Sequence, residues 1–181
     1  MFDQKKVLID CLKGKTDAQK KLYEHFAPLM TTVCYRYTKS WYEAEDVLQE
    51  GFVKVFNNLE QFKGDGELGG WIRRIMVNTA INYLRKNKKY SQEADVEVVP
   101  EQMSKDVSPI AGLQAKQLAE IIQRLPSGYQ TVFNLYAIEG YSHLEIGEML
   151  DIGESTSRSQ YLRARGILRK WIETELEEAK K

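Results

Sequence analysis

The most informative stretch of the chain is residues 71–89, which read WIRRIMVNTAINYLRKNKK. Apolar and small residues recur in it at the three-and-four spacing of a buried helical face. These residues are Ile72, Ile75, Met76, Thr79, Ala80, Tyr83 and Leu84. The opposite side carries a polar residue at every fourth position: Arg74, Asn78, Asn82 and Lys86. The stretch therefore predicts a helix that buries one side and presents a row of polar side chains on the other.

The same stretch holds six Lys or Arg and no acid, although the formal net charge of the chain is zero. A core helix with a solvated outer face explains this pattern without any ligand. Asparagines placed between the basic residues favour a second interpretation, because Asn bonds base edges bidentately while Arg and Lys hold phosphate. Both interpretations remain open on this stretch alone.

The composition of the whole chain, 43% hydrophobic and 29% charged over 181 residues, is typical of a soluble protein with one or two domains. The N-terminus MFDQKKVLIDCLKGK lacks the apolar core of a signal peptide, and we expect a cytoplasmic protein. Cys11 and Cys34 have no partner at metal-ligand spacing and are expected to be buried thiols. His25 and His143 have no supporting catalytic motif. We therefore expect no enzyme, no metal and no cofactor.

A change of composition divides the chain near its middle. Residues 91–111 contain five acids against one lysine, include Pro100 and Pro109, and lack aromatic residues. Such a segment cannot bury enough apolar surface to fold and is typical of a solvated linker. We predict an all-α protein with two small helical domains, residues 1–90 and 113–181, joined by a flexible acidic linker at 91–112.

Three helices are predicted before the basic one, at 5–13, 17–39 and 42–59, with apolar residues at helical spacing. Asp17 is the expected N-cap of the second helix, Leu29 is expected on its buried side, and Pro28 is expected to divide or kink it. The third helix has an outward row formed by Asp46, Gln49, Glu50 and Val53. Carboxylates on such a face are ordinarily only solvated.

A glycine-rich loop is predicted at residues 62–70, FKGDGELGG, which hold four glycines. This density of glycine argues against a helix and fits either a flexible connector or a shaped binding loop. The GxxxxGK[ST] pattern of a phosphate-binding loop is missing.

The second half has the outline of a helix-turn-helix. Helices are predicted at 113–125 and 128–139, then at 142–150 behind a Ser142–Glu145 capping box, and at 154–170 after a turn at 151–153. We expect Gly147 to allow close approach of the last two helices, and a set of apolar residues to pack them. This set is Ile146, Leu150, Ile152 and Leu162. The outline fits a DNA-reading module or an ordinary helical hairpin.

Taken together, the two halves resemble the extracytoplasmic-function sigma factors, two-domain bacterial transcription initiation factors. In the first half the resemblance rests on EDVLQEGF (45–52), FKGD (62–65), WIRRI (71–75) and VNTA (77–80). In the second half it rests on LP (125–126), VF (132–133), EGYS (139–142), EI (145–146), TSRS (156–159) and RAR (163–165). Their order and spacing are specific in combination. Three features differ from the family pattern. Ser157 stands where many relatives carry a β-branched residue, and Asp151 stands where the turn often has Gly. Residues 67–70 replace bulkier residues in the loop.

This resemblance implies roles for individual residues. The surface that grips the clamp helices of the largest polymerase subunit would be formed by Asp46, Gln49 and Glu50. The minus-ten promoter element, including a flipped base near Asn78, would be bound by Phe62, Lys63, Asp65, Trp71, Arg74, Asn78, Asn82 and Arg85. The minus-thirty-five element would be bound by Thr156, Arg158, Ser159, Arg163 and Arg165.

The partners implied are core RNA polymerase, including the flap of the second-largest subunit, promoter DNA and an anti-sigma factor, with a monomer when free. The function implied is promoter-specific initiation of transcription. A free-standing helix-turn-helix regulator remains the alternative and predicts a homodimer on a palindromic site. A pure interaction module that occupies polymerase without opening DNA is a third hypothesis.

Overall fold

The computed structural model describes residues 2–64, 66–91 and 119–178, with side chains described up to residues 87 and 172 in the two units. Contacts between residues divide the chain into two compact units, one from each half. The described residues form helices and turns and contain no strand, so the all-α class is confirmed. The predicted linker lies outside the described residues, apart from Ser91, which ends a helix.

The first unit contains four α-helices. They are α1 (Gln4–Leu12), α2 (Thr16–Tyr35), α3 (Trp41–Asn57) and α4 (Leu68–Ser91), with a short 3₁₀ turn at Leu59–Gln61. Side chains cap two of the helix starts: Asp3 accepts a hydrogen bond from the Lys6 amide, and Ser40 accepts one from the Glu43 amide. These bonds satisfy backbone donors that the first helical turn leaves free.

The core of the first unit lies where α2, α3 and α4 meet, and α1 packs on α2. Fully buried side chains include Leu22, Met30, Val47, Val55, Ile72 and Met76. Gly51 lets α3 and α4 approach closely, because a Cβ at this position would lie 2.2 Å from the Met76 sulfur. This close contact fixes the face that each of the two helices turns to solvent.

Two expectations for α2, at Asp17 and Leu29, were wrong, and of the two effects expected of Pro28 the structure excludes division of the helix. Its cap position is Lys15, and Asp17 lies in the first turn, where a carboxylate still favours the positive end of the helix dipole. Pro28 does not divide the helix, because it is exposed and the carbonyl it leaves unbonded can be solvated. Leu29 is 58% exposed because it shares this outer side with Pro28.

The second unit begins, in its described part, with helical residues 119–123 (α5). It continues with α6 (Ser127–Phe133), which runs on as a π-helical turn at Asn134–Ile138, and with α7 (His143–Leu150) and α8 (Glu154–Glu178). Its core joins Ile121, Ile122 and Leu125 to Ala164 and Leu168 of α8.

The turn between α7 and α8 has the predicted chemistry. The Ser142 hydroxyl accepts from the Glu145 amide, and the Glu145 carboxylate accepts from the Ser142 amide at 2.8 Å, which completes the capping box. Asp151 ends α7 in the left-handed conformation, with φ 56°. A Cβ at Gly147 would lie 2.8 Å from the Ile152 carbonyl oxygen, so only glycine fits without a shift of backbone.

The prediction that Leu162 packs between the two helices of this motif was wrong. Leu162 is 63% exposed, whereas Ile146 of α7 is fully buried. The buried stripe of α8 instead runs through Ser157, Ala164 and Leu168. Leu162 stands two residues before Ala164, which places it on nearly the opposite side of a helix with 3.6 residues per turn.

Candidate functional site

The polar row of α4 lies on the surface as predicted. Arg74, Asn78, Asn82 and Lys86 are all exposed, whereas Ile72, Met76 and Ala80 on the other side have no exposed area. The buried sector also takes in Val77 and Ile81, while Ile75, Tyr83 and Leu84 are only half-buried. The buried sector is displaced from the predicted one because α4 packs against both α2 and α3. The row can therefore reach a large ligand along several helical turns.

The start of α4 lies against the glycine-rich loop. The Phe62 and Trp71 rings are 5.6 Å apart between centroids, and both side chains are half-buried. Gly64 and Gly66 adopt positive φ, a conformation open to glycine at little cost. Lys63 is exposed, and Asp65 lies outside the described residues. This arrangement places two partly exposed aromatic rings beside the first turn of the polar row.

The expectation that the whole of 62–70 avoids helix was wrong at its end. Residues 68–70 form the first turn of α4. Leu68 is fully buried and anchors this turn, which outweighs the low helix propensity of Gly69 and Gly70. At Gly69 a Cβ would lie 3.2 Å from the Phe26 ring, so a small residue suits this contact with α2.

The outer face of α3 combines acids with apolar residues. Asp46, Gln49 and Glu50 are exposed, as predicted. Val53 is 58% exposed and Tyr42 is 83% exposed. Because positions 42, 46, 49 and 53 fall on one side of a helix, the polar groups are flanked by a large apolar side chain at each end. Exposed aromatic residues such as Tyr42 are enriched at protein-binding surfaces. Tyr42 was not predicted, although its spacing from Asp46 would have identified it.

A lysine links this acidic face to α4. The Lys54 ammonium lies 2.6 Å from Glu50 Oε1 and donates to the Thr79 hydroxyl at 3.2 Å. The hydrogen bond from Lys54 lowers the pKa of the Glu50 carboxyl, and the charges of Lys54 and Lys86 act in the same direction. Glu50 is therefore ionised at neutral pH, and the far end of the α4 row lies close to the acidic face.

In the second unit, the five predicted DNA-binding residues of α8 are all exposed. They are Thr156, Arg158, Ser159, Arg163 and Arg165. Four of these side chains contact a neighbouring group. The Ser159 hydroxyl donates to the Thr156 carbonyl. Arg163 lies 3.5 Å from the Tyr129 hydroxyl, and Arg165 lies over the Tyr161 ring. Arg158 forms an ion pair with Glu154. Arg158 and Arg165, seven residues apart, lie on the same exposed side of α8, whereas Arg163, two residues before Arg165, lies on nearly the opposite side. Exposed guanidinium groups can bind phosphate and base edges.

A buried polar contact fixes the orientation of α8 relative to α7. His143 Nδ1 lies 2.9 Å from the Ser157 hydroxyl, and Ser157 has no exposed area. The His143 ring stacks on Tyr136 at 4.2 Å between centroids. Burial lowers the pKa of His143, and the positive charge of Arg158 lowers it further. Ser157, which stands where many relatives carry a β-branched residue, thus has a hydrogen-bonding partner, His143, on the preceding helix.

The two cysteines belong to the buried core. Cys11 and Cys34 are buried free thiols, as predicted, and burial raises the pKa of Cys34 to about 12. Among the described residues, no group of three or more His, Cys, Asp or Glu is placed to hold a metal ion. No helix in the described ranges is long and apolar enough to cross a membrane.

Comparison with known proteins relates both units to one class. Residues 22–90 match the family described as sigma-70 region 2, and residues 115–168 match sigma-70, region 4. The ECF RNA polymerase sigma factor SigW of Bacillus subtilis is 30% identical over 179 residues, which cover 93% of this chain and 96% of SigW. The ECF RNA polymerase sigma-E factor of Escherichia coli K12 is 30% identical over 164 residues, or 84% of this chain and 85% of that protein.

Solved structures show the same fold. The sigma factor RpoE from Bartonella quintana, in complex with the anti-sigma factor NepR, has a TM-score of 0.58 at 18% identity and covers 85% of this chain and 96% of its own. CnrH, in complex with the cytosolic domain of CnrY, has a TM-score of 0.50 at 19% identity and covers 93% and 96%.

Proposed function

The chain belongs to the extracytoplasmic-function (ECF) sigma factors of the sigma-70 family, and we propose that it acts on polymerase and promoter through three separate surfaces. As a sigma factor it directs the initiation of transcription. A free-standing helix-turn-helix regulator is no longer a viable alternative, because the first half matches sigma region 2 as well.

The observation that carries the proposal is the pair of unlike exposed faces on adjacent helices of the first unit. The outer face of α3 is acidic with apolar flanks, whereas α4 exposes a row of basic and amide side chains. A nucleic acid would be repelled by the first face and attracted by the second. One unit can therefore bind a protein and DNA at the same time.

The first surface binds core polymerase. Asp46, Gln49 and Glu50 contact the clamp helices of its largest subunit, and the flap of the second-largest subunit receives the second unit. Exposed Tyr42 and Val53 support this assignment, because apolar anchors that bury on binding supply most of the affinity of a protein interface.

The second surface binds and opens the minus-ten element. Its residues are Phe62, Lys63, Asp65, Trp71, Arg74, Asn78, Asn82 and Arg85. Extraction of one base from the duplex costs a few kcal/mol, and a pocket that stacks and hydrogen-bonds the base offsets that cost. The half-buried rings of Phe62 and Trp71 offer stacking, and Asn78 offers two hydrogen bonds to a base edge.

The third surface reads the minus-thirty-five element in the major groove. Thr156, Arg158, Ser159, Arg163 and Arg165 make these contacts from α8. The close turn between α7 and α8 supports this role, because it resembles the geometry in which a recognition helix enters the groove.

The domain division that goes with these surfaces is 1–90 for polymerase and minus-ten binding, 91–112 for an acidic linker, and 113–181 for minus-thirty-five binding. Tethering makes the second binding event intramolecular and so raises the effective local concentration of the second unit. Together the two units provide the binding free energy for strand opening.

The further partner is an anti-sigma factor. Two structurally similar sigma factors, RpoE and CnrH, were each solved in complex with another protein, the anti-sigma factor NepR and the cytosolic domain of CnrY. The chain is a monomer when free and acts in the cytoplasm, where core polymerase is found. It carries out no catalysis itself and needs no cofactor.

Run-off transcription with purified core polymerase and a library of genomic fragments tests the proposal. The expected result is a discrete set of transcripts that require this protein, with two unlike, directly oriented elements upstream of each start. A stable homodimer that binds a palindromic site without polymerase would overturn it.

A further inference from the structure

The candidate base-reading arginine of α8 is held by an acid of its own helix. Nε of Arg158 donates to Glu154 Oε1 at 3.1 Å, and Nη2 donates to the same oxygen at 2.5 Å. Both side chains are exposed, at 62% for Arg158 and 43% for Glu154. The pair spans the start of α8, where Thr156, Arg158 and Ser159 make three of the five proposed contacts to the minus-thirty-five element.

The geometry leaves the guanidinium with one free edge. A guanidinium donates through its side edge, formed by Nε and Nη2, or through its end edge, formed by the two terminal nitrogens. Glu154 occupies the side edge. Bidentate bonding to a guanine needs two donors of one edge, so Arg158 can offer only its end edge while the pair is intact.

The pair does little for the stability of the fold. Exposed ion pairs four residues apart on a helix contribute little in water, because solvent screens them and both side chains lose freedom. Docking in a groove removes water and strengthens the same attraction. The pair therefore has its largest effect when α8 lies against DNA.

Glu154 also places a negative charge where phosphates approach. This charge opposes non-sequence-specific attraction, which depends on unpaired cations. A residue that weakens binding to every sequence and restricts the arginine to one orientation raises selectivity at the expense of affinity.

We propose that Glu154 is a specificity-determining positioning residue, which presents the end edge of Arg158 to the base that Arg158 reads. The inference rests on the proposed function, because it requires Arg158 to contact the minus-thirty-five element. It adds a role for a residue that makes no base contact of its own.

The test measures binding of holoenzyme, made from core polymerase and the full chain, to a promoter identified by run-off transcription. Each base pair of its upstream element is replaced in turn, and the affinity ratio between the original and the replaced sequence gives the discrimination at that position. Glu154→Ala is expected to lower discrimination at one or two adjacent positions by about three- to tenfold, a part of what a bidentate contact provides. Binding to unrelated DNA is expected to rise.

A matched variant separates positioning from charge. Glu148 is an exposed glutamate of α7 in the same helix-turn-helix. It lines the same open surface pocket of the protein as Glu154. Glu148→Ala removes the same charge close by and is expected to leave the discrimination profile unchanged. If Glu148→Ala lowers discrimination at the same positions as Glu154→Ala, the effect is one of charge alone and the inference is overturned.

A double-mutant cycle with Arg158→Ala completes the test. In that background, Glu154→Ala is expected to change discrimination by less than about twofold, because the two residues act as one unit. If Arg158→Ala lowers discrimination but Glu154→Ala does not, the inference fails and the proposed function stands. If Arg158→Ala itself leaves discrimination unchanged, the proposed role of α8 fails and the inference fails with it.

Discussion

Asn78 lies in the middle of the exposed α4 row, four residues from Arg74 and from Asn82, and we expect it to bond an unstacked base. Asn78→Ala should slow open-complex formation by roughly tenfold, because a bidentate base contact provides about 1–3 kcal/mol. Binding to core polymerase should be unchanged, since an exposed helical residue can become alanine with little effect on folding. Permanganate reactivity of unpaired thymines measures the first quantity, and fluorescence titration with core polymerase measures the second.

Asn57 supplies the control, because it is an exposed asparagine at the end of α3 and stands outside the row. Asn57→Ala should open the promoter at the normal rate. Normal opening by Asn78→Ala would remove Asn78 from the DNA-binding set, and loss of polymerase binding would show that its role lies elsewhere.

His143 makes the second unit sensitive to acid. Burial holds the pKa of His143 below its ordinary value, so the folded state binds fewer protons than the unfolded state. The neutral ring stabilises the fold fully above the unfolded pKa of about 6.5, and this stabilisation is lost as pH falls from there through the lower folded pKa. Hydrogen exchange of the α7 and α8 amides should therefore accelerate between pH 7.5 and pH 5.5, after correction for the intrinsic rate.

The chain contains only two histidines, which gives a direct comparison. His143→Gln should abolish the acid-dependent loss of protection, and His25→Gln should retain it. Ser157→Ala should lower protection at all pH values by about 1–3 kcal/mol, because it leaves a buried ring nitrogen without its partner. An unchanged pH dependence in His143→Gln would assign the effect to other groups.

The outer side of helix α3 is expected to act as a single binding face. Asp46→Ala should weaken binding to core polymerase by about fivefold or more, as expected for a charged residue near the centre of an interface. The loss should shrink at high salt, because screening weakens the same attraction in the wild-type protein. Titration of labelled protein with core polymerase measures the effect.

Glu60 is an exposed acid that follows α3 in the 3₁₀ turn and serves as the control. Glu60→Ala removes one negative charge from the same unit and should bind polymerase normally. Equal losses in both variants would indicate a general charge effect, which would contradict a specific contact at Asp46.

Two glycines at helix contacts should respond differently to the same substitution. A Cβ at Gly147 meets the Ile152 carbonyl oxygen at 2.8 Å, and this backbone atom moves only with the turn. A Cβ at Gly51 meets the Met76 sulfur at 2.2 Å, and a methionine side chain can change rotamer. Gly147→Ala should destabilise the second unit by about 1–3 kcal/mol. Gly51→Ala should destabilise the first unit by less. Hydrogen exchange within each unit measures both losses of stability, and a larger loss for Gly51→Ala than for Gly147→Ala would contradict the prediction.

The balance of charge over the chain limits how strongly the free protein can bind DNA. The chain has as many acidic as basic residues, so its basic α4 and α8 faces are offset elsewhere. We expect the free protein to bind promoter DNA weakly and with little sequence preference, because each phosphate contact is lost steeply as salt rises. A filter-binding titration at physiological salt should show a specific complex only when core polymerase is added. A tight specific complex without polymerase would contradict this expectation.

Local patterns were sufficient to predict much of the fold. The four-residue spacing of Arg74, Asn78, Asn82 and Lys86 predicted their common exposure, since helical geometry follows from neighbouring residues alone. The Ser142–Glu145 capping box was predicted for the same reason. The errors at Leu29 and Leu162 arose because periodicity identifies a buried stripe, whereas its width and centre depend on which helices pack there.

The all-α class, the exposed rows of α3 and α4, and the turn between α7 and α8 were predictable from sequence, because each depends on spacing or contacts within a few residues. Tertiary packing was needed to establish that Lys54, which pairs with Glu50, also donates to Thr79, 25 residues from Lys54 along the chain, and that His143 bonds Ser157. The family resemblance predicted the roles of the exposed rows, and tertiary packing added the neighbours that orient them. Such pairs depend on where whole helices come to rest, and that position is set by the packing of the core as a whole.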